Sequence, residues 1–201
     1  MCVPLPSGDQ RLVQITEVAL QDAARRSGEW LVCKLGCTQC CIGVFAINQL
    51  DVLRLHDGMA ELDRVDPERA ERVRQRARAS IVQLRESYPG DPHTGILDEG
   101  DEAKARFEEF ADDEPCPALD VETGACDLYN ARPMTCRVFG PPVRSEDGLG
   151  VCELCYHGAT DQEIAACEMS VDPEGLESEL LATLERNDHR GQTIVAFALA
   201  G

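Results

Sequence analysis

Residues 116–140 read CPALDVETGACDLYNARPMTCRVFG. Cys116, Cys126 and Cys136 recur ten residues apart, and Pro117, Gly124, Pro133 and Gly140 punctuate the stretch. No apolar period of a helix or a strand runs along it, so neither element organises its length. The continuation to about Gly158 is equally rich in Pro, Gly and Cys. Backbone without periodic structure needs another constraint, and thiolate–metal ligation supplies one. This stretch therefore predicts an irregular, cysteine-rich, metal-binding segment set among elements of a different kind.

Those elements read as helices. In residues 9–27, Leu12, Ile15, Ala19 and Ala23 recur at helical spacing, with Asp9 as cap and Gly28 as stop. A second helix is expected from about Ile47 to Leu55, with Asn48 near its start and Gly58 beyond its end. Asp66-Pro67, a cap followed by proline at the first helical position, opens a third that runs to about Tyr88. Its stripe is Ala70, Val73, Ala77, Ile81 and Leu84, and Arg69, Arg72, Arg74, Arg76 and Arg78 read as a solvated face paired with nearby Glu. Residues 89–101 read as a loop and Lys104 to Ala111 as a short helix. Thr160 and Glu163 form a capping-box pattern, and Asp172-Pro173 opens a helix reaching about Asn187. The apolar run Ile194 to Leu199 is too short to classify. The expected class is mainly α with an irregular Cys-rich metal-binding segment, in a single small domain. Residues 30–156 would form its metal-binding core and 160–201 a C-terminal helical extension.

The 201 residues carry 37 acids against 19 bases, a net charge of −18. A surface that acidic repels phosphate backbones and anionic lipid, so neither nucleic acid nor membrane is an expected partner. No apolar span approaches the ~20 residues of a membrane helix. The opening MCVPLPSGDQR lacks the charged and apolar regions of a secretory signal. The expectation is a cytoplasmic chain in a reducing compartment, where structural disulfides are rare. The 11 cysteines then need another explanation.

They fall into groups: Cys33-x3-Cys37-x2-Cys40-Cys41, then Cys116, Cys126 and Cys136, then Cys152-x2-Cys155, with Cys167 further on and Cys2 an idle terminal thiol. Thiolates two or three residues apart turn back onto one ion, which is why C-x2-C is the usual knuckle of zinc and Fe–S sites. Four thiolates around a dication leave about two negative charges in want of cations. Arg132 and Arg137 flank Cys136 and are the candidate cofactor-binding residues, whether they compensate charge or hold an anionic group. The candidate metal ligands are Cys33, Cys37, Cys40, Cys41, Cys116, Cys126, Cys136, Cys152 and Cys155. One closed four-ligand zinc site would leave five of these idle, so either two sites exist or one polynuclear cluster has spare thiols beside it. His157 is the only histidine near a cluster, and a surface position suits it better than a ligand role.

The string at 116–140, with CKLGCTQCC at 33–41 upstream, resembles the YkgJ-type cysteine-cluster family over about residues 30–156. The matched positions are Cys37, Cys40, Cys41, Cys116-Pro117, Leu119, Gly124, Cys126, Tyr129, Arg132-Pro133, Cys136-Arg137 and Phe139. Cys33 departs from the pattern, with three residues instead of two before the next cysteine. The resemblance implies a zinc- or iron-chelating protein, or an Fe–S protein of oxidoreductase type. A similar cysteine cluster occurs in flagellin lysine N-methylase, so redox and methyl-transfer chemistry both belong to what the resemblance implies. Tyr129 reads either as a cover over the site that excludes water or, like Phe139, as core packing, with core packing the expectation for both. Pro133 reads as the first turn of a short helix that presents Cys136.

Cysteine-only ligation suits an iron–sulfur cluster and zinc alike, and the Cys116-Pro117 pair favours the cluster. The spacing Cys33–Cys37–Cys40 coincides with that of radical S-adenosylmethionine enzymes, but the chain has no repeated β/α units for their barrel. Neither a Walker loop nor a G-x-G-x-x-G element is present. Two function classes stand: a small Fe–S enzyme or electron carrier, and a non-catalytic, zinc-stabilised chelating or binding module. The partner is a metal ion or cluster, with substrate and protein partner open.

Overall fold

The computed structural model describes residues 4–34, 36–145 and 148–201. Cys2 lies outside the described residues. Of the described residues, 50% are helical and 9% strand, mainly α as the sequence predicts. Its elements in order are α1 (Asp9–Ser27), β1 (Ala46–Ile47), α2 (Gln49–Val65), α3 (Pro67–Leu84), α4 (Asp101–Glu108), β2 (Leu119–Asp120), β3 (Ala125–Cys126), α5 (Met134–Val138), β4 (Val143–Ser145), β5 (Gly148–Gly150), α6 (Asp161–Ala166), α7 (Leu176–Glu185), β6 (Thr193–Ile194) and α8 (Val195–Leu199). Among the described residues, no helix is long and apolar enough to cross a membrane. The chain divides into two compact units. One joins Thr38–Pro133 to Thr183–Gly201, and the other joins Pro6–Cys37 to Met134–Ala182.

In the first unit α2, α3 and α8 pack on one another. Asn48 caps α2, its Oδ1 accepting from the Leu50 and Asp51 N–H groups at 3.0 Å each. Asp66 closes α2 by donating its N–H to Leu62 O at 2.7 Å. It opens α3 by accepting from Arg69 N at 3.0 Å, with Pro67 as the first helical residue. Ala70, Val73 and Ala77 of the predicted stripe are buried against Leu55, Met59, Leu62, Val195 and Leu199. β1 and β6 pair antiparallel, Ala46 with Ile194 and Ile47 with Thr193, which orders the C-terminal run into a short strand followed by α8.

Several boundaries differ from expectation. α2 does not stop before Gly58 but runs to Val65. Its interior glycine costs about 1 kcal/mol relative to alanine, but a Cβ there would stand 2.2 Å from Ala131 Cβ. Gly58 is therefore a close-approach residue, and buried Met59 and Leu62 beyond it continue the apolar face. α3 ends at Leu84 instead of Tyr88. Tyr88 leaves the helix to donate its hydroxyl to Gly95 O at 2.6 Å and to pack on Phe110 and Phe197. α4 begins at Asp101 instead of Lys104, with Asp101 and Glu102 at the positive end of its dipole.

In the second unit α1 packs on α5, and β4 pairs with β5. Asp9 is the first residue inside α1, and Gly8 takes the cap position expected of it. Gly28 ends the helix at φ 51°, as predicted. Thr160 and Glu163 form the capping box of α6. α7 starts at Leu176, not at Pro173. Asp172 still caps it across a turn, its carboxylate accepting from Leu176 N at 3.0 Å and from Glu177 N at 2.8 Å.

Candidate metal centre

The first unit brings together Cys40, Cys41, Cys116 and Cys126 from three separate parts of the sequence. The single 3-10 turn Gln39–Cys41 carries the adjacent pair. The strand-like stretch after it runs antiparallel to the approach to Cys116. Gly43 N donates to Glu114 O at 3.0 Å, Ile42 bridges Pro115, and Cys116 N donates to Cys41 O at 2.7 Å. Cys116 O then accepts from Leu119 N at 2.9 Å, and Leu119 is the register partner of Cys126 in the β2–β3 hairpin. The hairpin turns through Gly124 at φ 68°, where a side chain would be strained. The ten-residue spacing of Cys116 and Cys126 is thus a hairpin whose two ends each carry a thiol.

Each of these sulfurs already has backbone donors. Cys116 accepts from the Ala118 and Leu119 N–H groups and Cys126 from Leu128 N–H. An N–H two residues on that points back at sulfur is the turn that steadies a thiolate ligand. Arg132 supplies the cation. The 3-10 turn Tyr129–Ala131 places its guanidinium 3.9 Å above the Tyr129 ring, which gives the Y-x2-R spacing a physical reason. Its charge favours the thiolates of Cys40 and Cys126. Tyr129 is 56% exposed and Phe139 42%, so neither packs in the core as expected. Tyr129 instead serves as the platform for Arg132.

The four thiols are not equivalent. The hydrogen bond from Cys41 is the largest of the effects that lower Cys40 to about 6, and Arg132 helps against the cost of burial. Cys41 is pushed up by that same bond, by burial and by the charges of Cys40, Cys116 and Cys126. Burial raises Cys116 to about 12, and it also raises Cys126. At neutral pH one thiolate, Cys40, therefore stands among three protonated neighbours.

The second unit holds Cys33, Cys37, Cys136, Cys152, Cys155 and Cys167. The run from Cys33 to Cys41, continuous in sequence, is divided between the units after Cys37. Cys152-x2-Cys155 is a tight turn in which Cys155 N donates to Cys152 O at 2.9 Å and Leu154 N–H faces the Cys152 sulfur. Burial raises Cys152, and the neighbouring Cys155 and Cys37 add to the rise. Cys152, Cys155 and Cys167 are buried with Tyr156, against Trp30 and Ile164. Tyr156 sits at φ 61°, its N–H donating to Trp30 O at 2.9 Å and its hydroxyl 2.5 Å from Ser27 Oγ. Cys136 lies on α5, half-buried, next to a buried Arg137 that donates to Glu17 at 3.0 Å. Cys33 is exposed, and a Cβ on Gly140 would lie 3.8 Å from its own. His157 is exposed.

All ten described cysteines are free thiols. Among the described residues, no three His, Cys, Asp or Glu side chains already stand as a group that could hold a metal ion. The donor chemistry nevertheless suits zinc and iron, both of which take thiolate sets. Sequence reasoning missed Asp127, Arg69 and Arg76. Arg69 and Arg76 leave the expected solvated face to pair with Asp127, while Arg78 does pair with Glu71. The available signal was an acid directly following Cys126.

Helical scaffold, irregular thiol-bearing segment and buried cysteines define a cysteine-cluster protein with a zinc- or iron-chelating domain. The chain belongs to the CxxCxxCC family, described as "Putative zinc- or iron-chelating domain", which matches residues 32–156. No curated protein and no solved structure matches the chain.

Proposed function

We propose that the chain holds metal at two separate thiol sets. Cys40, Cys41, Cys116 and Cys126 serve the first, and Cys33, Cys37, Cys136, Cys152 and Cys155 supply the donors of the second. The observation that carries this reading is the gathering of four cysteines from three parts of the sequence into mutual electrostatic reach, beside the cation of Arg132. Each sulfur has three staggered χ1 positions, so side-chain rotation is the motion by which the four would converge on an ion. Two sets also resolve the surplus of thiols over a single four-ligand site.

An iron–sulfur cluster is the form we propose for the first set, on its thiol-only donors and the Cys116-Pro117 element. Such a group would supply one-electron transfer. The chain's own part is to expel the protons of Cys41, Cys116 and Cys126, to offer backbone N–H groups to sulfur, and to offset charge through Arg132. A non-catalytic zinc module is the second reading, favoured by the knuckle turn at Cys152-x2-Cys155.

Anaerobic purification followed by metal analysis, visible absorption and EPR tests both. The expected result is a brown, reducible protein whose iron falls in Cys116→Ser and Cys126→Ser, with stability falling alongside. Colourless protein with stoichiometric zinc would overturn the cluster in favour of the zinc module. Unchanged metal content in both variants would overturn the first ligand set.

A further inference from the structure

α3 reaches the first thiol set through Arg69 and Arg76, seven residues apart and so on one helix face. Both donate to the carboxylate of Asp127, whose side chain is 2% exposed. Arg76 does more. Its Nε donates to Pro117 O at 2.8 Å while its second nitrogen donates to Asp127 Oδ2 at 2.5 Å. Pro117 follows Cys116, and Asp127 follows Cys126. One planar guanidinium therefore grips the chain immediately after each of two thiols. Asp127 N–H adds a third tie, donating to Ala118 O at 2.7 Å.

Neither arginine is needed to form the helix, since the buried alanine and valine stripe packs α3 without them. Their cost is a buried carboxylate, which is tolerated only because it is paired and hydrogen-bonded. We infer that Arg76, with Asp127 and Arg69, is a positioning device that fixes the separation of Cys116 and Cys126 for metal binding. This rests on the four-thiol reading above. A guanidinium suits the task because its fork reaches two acceptors in fixed geometry, whereas an ammonium is a single point on a flexible stem. Groups behind the ligands of a metal site typically matter 10–100-fold in affinity.

The test uses the full chain with cobalt(II) as probe, under reducing, oxygen-free conditions. The part of the thiolate-to-cobalt absorption that disappears in Cys126→Ser marks the first set. Arg76→Lys is expected to weaken that part about 10–100-fold and to change its band positions, because the ligand geometry relaxes. Arg78→Lys, on the same helix but paired with Glu71, should leave both unchanged. Unfolding of the metal-free variants in urea gives the purely structural share. Should Arg76→Lys not fold, Asp127→Asn is read in the same way. Wild-type affinity and bands in the variant would overturn the device. An affinity loss that only follows the loss of metal-free stability, with bands unmoved, would overturn it too. If Cys126→Ser leaves the wild-type cobalt absorption intact, it is the four-thiol reading that fails.

Discussion

Replacing Gly58 by alanine sets two effects of known size against each other. Within a helix, glycine to alanine gains about 1 kcal/mol. At this position the new Cβ would stand 2.2 Å from Ala131 Cβ and 3.6 Å from Leu128 Cδ2. Apolar carbons settle ~3.5–4.0 Å apart, so the first contact is too close by roughly 1.3–1.8 Å. Overpacking of this kind costs ~1–3 kcal/mol. Both carbons are fixed to backbone, so no rotamer relieves the clash and the upper half of that range applies. The expected net result is destabilisation by about 1–2 kcal/mol, a few degrees of Tm for a chain of this length. Urea and thermal unfolding of chelator-treated protein, followed by far-UV circular dichroism, measures it. Ala131→Gly should recover most of the loss in the double variant, since it removes the opposing carbon. A Gly58→Ala protein as stable as wild type, or a double variant no better than the single, would refute the close approach. Ala131 adjoins Arg132, so the same substitution should also disturb the guanidinium whose charge helps to lower Cys40.

Two pH effects follow from the geometry. In metal-free protein the Cys40 thiol, lowered to about 6, should react with iodoacetamide already below neutral pH, whereas Cys116, raised to about 12, should stay unreacted there; peptide mapping of alkylated sites across pH checks this, and equal rates at the two would refute it. Glu163 is held below its ordinary value by the Thr160 backbone N–H and hydroxyl. Its contribution to α6 is therefore complete above the unfolded carboxyl value of ~4.3 and is lost as pH falls through the lower folded value. Glu163→Gln should remove that acid-limb component from the unfolding curve, and an unchanged pH profile would count against the capping box.

The elements legible in the sequence are those held by neighbours along the chain. Asn48, Asp66-Pro67 and Thr160/Glu163 mark helix starts because a cap bonds within three residues of itself. The stripe Ala70, Val73 and Ala77 declares its buried face because the helical period places those residues together whatever they pack against. Errors arose where a distant residue decided. Gly58 reads as a stop until Ala131 is found against it, and Tyr88 reads as helix until Gly95 accepts its hydroxyl.

The same division runs through the candidate site. Residue types, spacing and family membership followed from the sequence, because a thiolate ligand and its turn are local features. The grouping of those thiols did not follow. Cys33 to Cys41 is one run in sequence, but it parts after Cys37 into two compact units, and Cys40 and Cys41 find their companions at Cys116 and Cys126. Likewise Arg69 and Arg76 could be seen only as charges on a helix until Asp127 met them. Local bonds depend on residues a few positions apart, and a sequence displays those. Which thiols share a site, and what holds them, depends on chain segments that meet only in the folded protein, and only tertiary structure decides that.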